Sequence, residues 1–471
     1  MSQPLITHKI QQMVSNALKQ AQQDGLLNLE TEPDIVIERP NNSENGDFAT
    51  NLPLQLARAT RINPVKLAEI LVERLHLSDE LAKIESAPPG FINFYLRDSW
   101  IQKQVDTIRH AGSTFGDVNV GNSQSIMIEF VSVNPTGPVH VGHARGAVLG
   151  STLANILSAA GYSVTKEYYI NDAGNQMDAF YNSVHTRYLQ LLGETREMPE
   201  NSYEGEYIKE IAAEIIQSDG EAFASSSPTE DSNLKIREIG LLAKDMMLQE
   251  ISKDLIDIGV DFDNWFSESS LFQSQEYEEA IHLLRSQNYL SEREGALWFN
   301  SNIEGGEDEP DDRDSVVIRS SGEPTYFASD IAYHHNKFLK RNFGQVINIW
   351  GADHQGHVAR MKSAVQALGI NSDSLTILIS QLVTLKRGNE LVRASKRTGD
   401  FVTLRELVED VGIDACRFFF LTRAASTHMD FDLELAKKES SDNPVYYVQY
   451  AHARISNIIK LAGERGLDVT T

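Results

Sequence analysis

The sequence predicts an α/β protein built on a parallel sheet, with an α+β unit before the sheet and the start of a helical unit after it. Three observations predict this. From Ser125 to Ile170 a buried-type strand, a Pro/Gly-punctuated loop, a helix rich in small apolar residues and a second strand follow in order, the pattern of a β-α-β crossover. The same alternation returns between Gln345 and Leu421. The length, 471 residues, exceeds what one core organises, so two to four domains of roughly 150 residues are expected.

Composition narrows the class. With 41% hydrophobic, 23% charged and 8% aromatic residues the chain has globular proportions and is neither fibrous nor wholly disordered. Its 42 basic against 67 acidic residues leave a charge of −25, a field that repels nucleic acid and anionic membrane, so any RNA contact must use a local basic patch. The single cysteine, Cys416, cannot close an internal disulfide or supply a cysteine-based zinc site, which fits a reducing cytoplasm. The start of the chain lacks the apolar core of a signal peptide, and no stretch approaches the roughly 20 apolar residues needed to span a bilayer.

In chain order, Ile6 to Ala21 has the periodicity of an amphipathic helix, Asp34 to Pro40 that of a strand, and Pro53 to Leu75 is helical with a break at Asn63-Pro64. Gly90 to Leu96 alternates after a Pro-Pro-Gly turn and reads as a strand. Arg58, Arg61 and Lys66 lie in or beside the helical stretch and could meet RNA or simply face solvent. Ser125 to Val133 reads as one strand, Ala144 to Ala160 as a helix, and Tyr162 to Ile170 as the next strand. Residues from about 180 to 300 are mainly helical and polar, and read as an insertion that interrupts the α/β pattern. Gly305 to Ser315 carries six carboxylates and is expected to be a solvated loop. After a turn at Ser320 to Pro324 and a helix in TYFASDIAYHHNKF, Gln345 to Trp350 is a strand and His357 to Leu368 a helix. Leu375 to Val383 follows as a strand and Leu404 to Leu421 as a helix. Asn443 to Gly466 is a helix that looks like the first piece of a further helical domain.

Several clusters carry chemistry. His140-Val141-Gly142-His143 lies between a strand and a helix N-terminus, where imidazole donors beside the positive end of a helix suit a polyphosphate, and Gly142 admits a flat base close to the backbone. Gly351-Ala352-Asp353-His354-Gln355-Gly356-His357 follows a second strand, so Asp353 could accept from ribose hydroxyls and His357 could face a nucleotide. Arg393 to Gly399 is a compact cationic loop in an acidic chain, able to neutralise a leaving pyrophosphate. Tyr326 and Asp330 stand four apart and could grip a guanidinium, whose planar fork favours carboxylates. Glu129, inside an otherwise apolar strand, must meet a cation or several donors. A metalloenzyme using the two HxxH pairs with Asp353 is a rival reading, although HExxH is absent.

These residues resemble those of a known family. His140 to His143 is similar to the HIGH signature of class I aminoacyl-tRNA synthetases and Arg393 to Arg397 to their KMSKS loop. EFVSVNPTGPVHVGHARGAVLG, YYINDAGNQ, TYFASDIAYH, WGADHQGH, GDFVTLRELV and NPVYYVQYAHARI are similar to blocks of the arginyl-tRNA synthetases, and GDFATNLPLQLA and PPGFINFYL to their additional N-terminal domain. The resemblance implies a Rossmann-like catalytic domain over residues 113–438 with the insertion at about 180–300, a tRNA-elbow domain over 1–112, and the opening of a helical anticodon-binding domain over 439–471. It implies ATP with Mg2+, L-arginine and tRNA(Arg) as partners; beside it, a cytoplasmic monomer with no DNA or membrane partner is expected.

By the same resemblance Pro138, His140, Gly142, His143, Gly351, Asp353, His357, Arg393, Ser395 and Lys396 would hold ATP, with His140, His143 and Lys396 catalytic. Glu129, Asn134, Tyr326, Asp330 and His354 would hold arginine, and Arg58 and Arg61 would meet tRNA. Arg393 and Ala394 stand where the signature has lysine and methionine, which keeps charge but alters the loop. With only the opening of the anticodon-binding domain in the sequence, the chain alone is expected to have little or no activity, or to act as a synthetase-like binding module.

Overall fold

The computed structural model describes residues 6–29, 31–224, 230–301, 314–388, 390–392 and 402–468. The chain divides into two compact units, Met1–Asn119 and Val120–Thr471.

In the first unit three helices, Ile6–Gln23, Leu52–Thr60 and Pro64–Val72, cover a three-stranded antiparallel sheet of Phe48–Thr50, Phe91–Leu96 and Leu81–Ala87. Asn63 caps the third helix by accepting from Val65 and Lys66 amides, and Pro64 opens it, which is why the helical stretch breaks there. Ile10, Val14, Leu18, Leu67, Leu71 and Phe94 form the core. Asp34 to Pro40 does not form the expected strand. It makes one bridge, Glu38 with Ala49, because the next position that would donate to the ladder is Pro40, which has no N–H.

The second unit is built on five parallel strands: β1 Ser125–Glu129, β2 Ser163–Ile170, β3 Asn264–Ser267, β4 Gln345–Gly351 and β5 Leu375–Ser380, in the order β5-β4-β1-β2-β3. The helix Val141–Ala159 crosses from β1 to β2. Its small residues let it approach closely: a Cβ on Gly150 would run into the Phe130 ring. Ile128, Phe130 and Tyr168, with Val148 of the helix, are fully buried at this contact, each side chain worth roughly 1.5–3 kcal/mol of transfer free energy.

The stretch from about 180 to 300 is helical in Glu206–Asp219 and Glu230–Asp257, which pack with Asn175–Leu191 through Phe180, Val184, Ile208, Ala212, Ile239 and Ala243. It also contributes the edge strand β3, so the sheet runs through it. The hairpin Leu290–Arg293 and Ala296–Phe299 follows and pairs on with Ser315–Ile318. Of the acidic run Gly305 to Ser315, residues 305–313 lie outside the described residues.

Three further elements are shorter than expected. The strand starting at Ser125 stops at Glu129 because Val131 and Ser132 take φ of 70° and 45°, turning the chain off the sheet. Leu375 to Val383 is two strands, β5 and Val383–Arg387, and the latter joins a separate sheet with Glu390–Leu391 and Met429–Asp432. The break falls at Gln381, whose amide donates to Ala425 and whose carbonyl accepts from Arg145, so neither serves β5. Leu404 to Leu421 is divided at Gly412, φ 83°, into Leu404–Val411 and Ile413–Phe420. Among the described residues no helix is long and apolar enough to cross a membrane.

Arg145, 1% exposed in the crossover helix, donates to four carbonyls: Gln381 at 3.1 Å, Thr427 at 2.8 Å, Arg423 at 3.3 Å and Ala424 at 2.7 Å. It ties both turns flanking the separate sheet to the crossover helix. Arg145→Met should leave the Gln381, Arg423 and Thr427 carbonyls without that donor, Ala424 keeping the Thr427 amide, and destabilise the chain by about 3 kcal/mol or more, read as a lower midpoint in urea unfolding. A midpoint unchanged from the parent would show that the carbonyls find other donors.

Candidate active site

The strand order places the site. The chain runs outward from β1 to β2 and β3, then returns to β4 on the other side of β1, so the crevice at the carboxyl ends between β1 and β4 is the topological switch point. Glu129 ends β1, Asn171 and Asp172 follow β2, Glu268 follows β3, and Gly351 ends β4.

The loop after β1 carries the first histidine pair. It is held by two tyrosines: Tyr168 Oη donates to the Val133 carbonyl and Tyr207 Oη to the Thr136 carbonyl, both at 2.8 Å. Asn134 is hydrogen-bonded to Gln176, and Pro138 is partly buried. His140 caps the crossover helix, its Nδ1 accepting from the Gly142 amide at 3.1 Å. A Cβ on Gly142 would lie 2.8 Å from His140 Cε1, so glycine is required for that cap. The rings of His140 and His143 are 3.7 Å apart. Burial lowers the pKa of His140, and burial together with His140 pushes His143 down to about 3. Both rings are therefore neutral at pH 7, and His143 Nδ1 is buried with no partner among the described residues. The pair offers a ligand neutral hydrogen-bonding atoms beside the helix N-terminus.

The same loop is tied to the end of the cationic segment. Val141 N–H donates to Val402, Leu404 N–H donates to Val139 at 2.7 Å, and His140 bridges Thr403. Arg393, Ser395 and Lys396 themselves lie outside the described residues.

After β4, Ala352–His357 forms a short 3-10 turn that leads into the helix Val358–Ala367. Asp353 and His354 are exposed, with His354 Nε2 3.5 Å from Asp353. His354 also packs near Trp350 and His357, and His357 is hydrogen-bonded to Arg360. Among the described residues no group of three or more His, Cys, Asp or Glu side chains is placed to hold a metal.

The other wall of the crevice is acidic. Tyr169 is buried amid Glu268, Asp330, Glu129 and Asp172, and burial followed by these charges raises its phenol well above the usual range. Two of the carboxylates have fixed cations: Glu129 has Lys337 Nζ at 2.6 Å, and Asp172 has Lys244 Nζ at 3.5 Å. Asp172 also accepts from Ser267 Oγ and the Ser269 amide. The other two are short of partners. Glu268 is 4% exposed and hydrogen-bonded to Ser329, yet its Oε2 has no partner among the described residues, and neither has the Tyr169 hydroxyl. Burial and neighbouring carboxylates raise Glu268 and Asp330 each to about 7. Tyr326, half-exposed at the mouth, hydrogen-bonds Asn171. A cation with several donors would satisfy these oxygens; water alone leaves charge poorly compensated.

The structure thus gathers Glu129, Asp330 and Tyr326 around one acidic pocket and adds Glu268, Asp172 and Tyr169. Glu268 gave no signal in Ser-Glu-Ser-Ser because nothing there is periodic, whereas Asp172 lay inside a quoted block without a role. Arg58 and Arg61 are exposed on the first unit, where Arg61, at φ 54°, closes the helix Leu52–Thr60.

Comparison with known proteins agrees with this geometry. Residues 8–96 match the family described as the arginyl tRNA synthetase N terminal domain, and residues 104–426 match the family of class I (R) tRNA synthetase catalytic domains. An arginine–tRNA ligase from Dehalococcoides mccartyi strain CBDB1 is 51% identical over 466 residues, covering 99% of this chain and 82% of the relative. Another, from Caldanaerobacter subterraneus subsp. tengcongensis, is 45% identical over 462 residues, 98% of this chain and 81% of its own. The solved arginyl-tRNA synthetase of Thermus thermophilus shares the fold, with a TM-score of 0.71 over 97% of this chain and 82% of that one at 21% identity. Matched through its catalytic unit and along nearly its whole length, the chain belongs to the arginyl-tRNA synthetase family and is a class I aminoacyl-tRNA ligase.

Proposed function

We propose that the crevice at the strand ends forms arginyl-adenylate from L-arginine and ATP, then transfers the arginyl group to the 2′-hydroxyl of the terminal adenosine of tRNA(Arg). The observation that carries the arginine reading is the Glu268 Oε2 and Tyr169 hydroxyl, without partners among the described residues and grouped with Asp330, a set of oxygens suited to the several N–H donors of a guanidinium. Tyr326 closes its mouth. Glu129 receives the α-ammonium, and Asn134 the substrate's main-chain groups. In the first step an arginine carboxylate oxygen bonds to the α-phosphorus while the bond to the β-phosphate oxygen breaks, and pyrophosphate leaves with the electron pair. In the second step the 2′-oxygen bonds to the carbonyl carbon and gives up its proton, and AMP leaves with the electron pair of the cleaved acyl-phosphate anhydride bond.

His140, His143, Gly142 and Pro138 line one side of the triphosphate, and Gly351, Asp353 and His357 face the nucleoside. Arg393, Ser395 and Lys396 are assigned to the leaving pyrophosphate by the family resemblance, and Mg2+ arrives with ATP. His354, with contacts to Asp353, Trp350 and His357, sits with the nucleotide-facing group more than with the carboxylates. Arg58 and Arg61 contact tRNA from the first unit. The helix Pro444–Glu464 buries only Val445 among its residues and exposes Tyr447, Val448, Ile455 and Ile458, as the opening helix of an anticodon-binding domain would. The reading includes a cytoplasmic monomer with no DNA or membrane partner, supported by the charge of −25 and the lone cysteine.

Thermal unfolding with non-hydrolysable arginyl-, lysyl- and leucyl-adenylate analogues tests this directly, since a ligand at a hundredfold excess over its Kd stabilises by about 2.7 kcal/mol. A shift with the arginyl analogue alone is expected, and equal shifts with the lysyl analogue would overturn the arginine assignment. In pyrophosphate exchange the 471 residues alone should show little activity without tRNA; full exchange without it would contradict that expectation.

The pocket also makes binding depend on pH. Asp330 and Glu268, both near 7 in the folded chain against usual carboxylate values near 4, hold protons that a guanidinium must displace. The folded state therefore binds more protons than the unfolded one between about pH 4 and 7, so the unliganded chain loses stability as pH rises across that interval, the loss being complete once pH passes the folded values. Arginyl-analogue stabilisation should accordingly grow from pH 6 to pH 8, and a flat profile would show that these carboxylates are already ionised. For the nucleotide side, Gly142→Ala should weaken ATP about tenfold, or ~1.4 kcal/mol, by displacing His140, with arginyl side-chain recognition unchanged in the same titrations.

A further inference from the structure

A continuous chain of hydrogen bonds links Glu129 to the backbone of the helix that carries Asp330. The helix Tyr326–His335 is followed by a wide π-helical turn, Asn336–Lys340, that carries Lys337 onto the sheet. Lys337 is fully buried, with Nζ 2.6 Å from Glu129 Oε2, 3.0 Å from Asn348 Oδ1 and 3.9 Å from the centre of the Tyr333 ring. Asn348, on β4, pairs in register with Glu129 on β1 and is itself fully buried.

The direction of every bond in the chain is determined. An ammonium only donates, so Asn348 Oδ1 accepts and the amide nitrogen faces His334 Nε2 at 2.9 Å. That nitrogen only donates, so Nε2 carries a lone pair and the imidazole hydrogen sits on Nδ1, which donates to the Asp330 carbonyl at 2.7 Å. His334 is 1% exposed, and burial followed by the Lys337 charge pushes its pKa down to about 3, consistent with a neutral ring. The sequence of contacts is Glu129, Lys337, Asn348, His334 and the main-chain carbonyl of Asp330 one turn earlier, so the chain is anchored to the backbone of the helix that carries the Asp330 carboxyl group. Its first member is the carboxylate assigned to the α-ammonium and its last belongs to the residue assigned to the guanidinium.

We propose that Lys337, Asn348 and His334 form an internal ruler that fixes the separation of Glu129 from Asp330 and so selects the length of the substrate side chain. These are positioning residues, since none is assigned a contact with substrate, and the inference rests on the arginine reading above. A buried network whose hydrogen bonds each have one allowed direction holds its ends more rigidly than solvated side chains do. One extra methylene in a fixed site is discriminated by about 10- to 200-fold.

The test compares L-arginine with L-homoarginine, one methylene longer, by calorimetric titration of the chain and of Lys337→Met and Asn348→Leu. The parent should prefer arginine at least tenfold, and either variant should reduce that preference at least tenfold. A variant that loses thermal stability but keeps the parent's preference would overturn the ruler and leave the arginine site standing. A parent that binds neither amino acid would overturn both. Should the variants not fold, nitrogen NMR of histidine-labelled parent chain decides: a His334 ring protonated at Nδ1 alone between pH 6 and 8 supports the chain, and a proton on Nε2 breaks it.

Discussion

Everything in the catalytic unit depends on one constraint: five parallel strands end on the same side, so the polar residues that follow them are forced together. Glu129, Asp172 and Glu268 all follow or end strands on that edge, and the helix carrying Asp330 packs beside them. Carboxylates held this close cannot all stay ionised in a poorly solvated place without cations. The fold supplies two of those cations, Lys337 and Lys244, and leaves the remaining charge for a ligand. The pocket is thus defined as much by which carboxylates lack a built-in partner as by which are present.

The opposite side of the crevice depends on a sharp departure from the sheet. Val131 is β-branched and adopts φ 70°, a conformation that costs on the order of 1–3 kcal/mol and persists only where the surroundings over-determine it. They do so here. Ser132 Oγ accepts from the Tyr169 amide and donates to Glu129, and Tyr168 holds the Val133 carbonyl. The turn that opens the loop to the histidines is therefore built from the same residues that orient Glu129, which couples the two sides of the crevice through a few contacts. Arg145 and the pairing of Val139 and Val141 with Leu404 and Val402 extend that coupling to the sheet flanking the cationic segment.

How far this was legible before the structure differs by residue. Glu129 was conspicuous because a carboxylate interrupts an apolar strand, and the histidine loop because Pro and Gly mark the turn ahead of a helix. The periodicity of the large helices and of β1, β2 and β4 was equally plain. The edge strand β3 was not: its four residues sit in a stretch of helical character, and only their pairing with β2 identifies them. Leu375 to Val383 is mostly apolar with no Gly or Pro to mark a break, so nothing local shows that Gln381 turns its backbone toward Ala425 and Arg145. Glu268 and Lys337 were invisible for a similar reason. Each is an ordinary charged residue in a polar segment, and its burial is created by elements distant in sequence.

That last class of residue bears on why the network exists. Replacing a buried ion pair by apolar side chains of similar volume is often neutral or stabilising by about 1–4 kcal/mol, so stability alone does not account for charges placed under the sheet. Two adjoining pairs show this here, Glu129 with Lys337, both buried, and the buried Glu167 with the partly exposed Arg341, the second also hydrogen-bonded to Tyr333 and Asn264. An apolar core would pack equally well but would leave the carboxylates at the strand ends free to rotate. Lys337 spans both sets, donating to Glu129 while lying against the Tyr333 ring whose hydroxyl bonds Glu167. The two pairs form one buried lattice, and what it adds over a hydrophobic core is direction: it fixes where an oxygen points. In a synthetase that must tell one cationic amino acid from another by the placement of its nitrogens, orientation is the property for which such a lattice is suited.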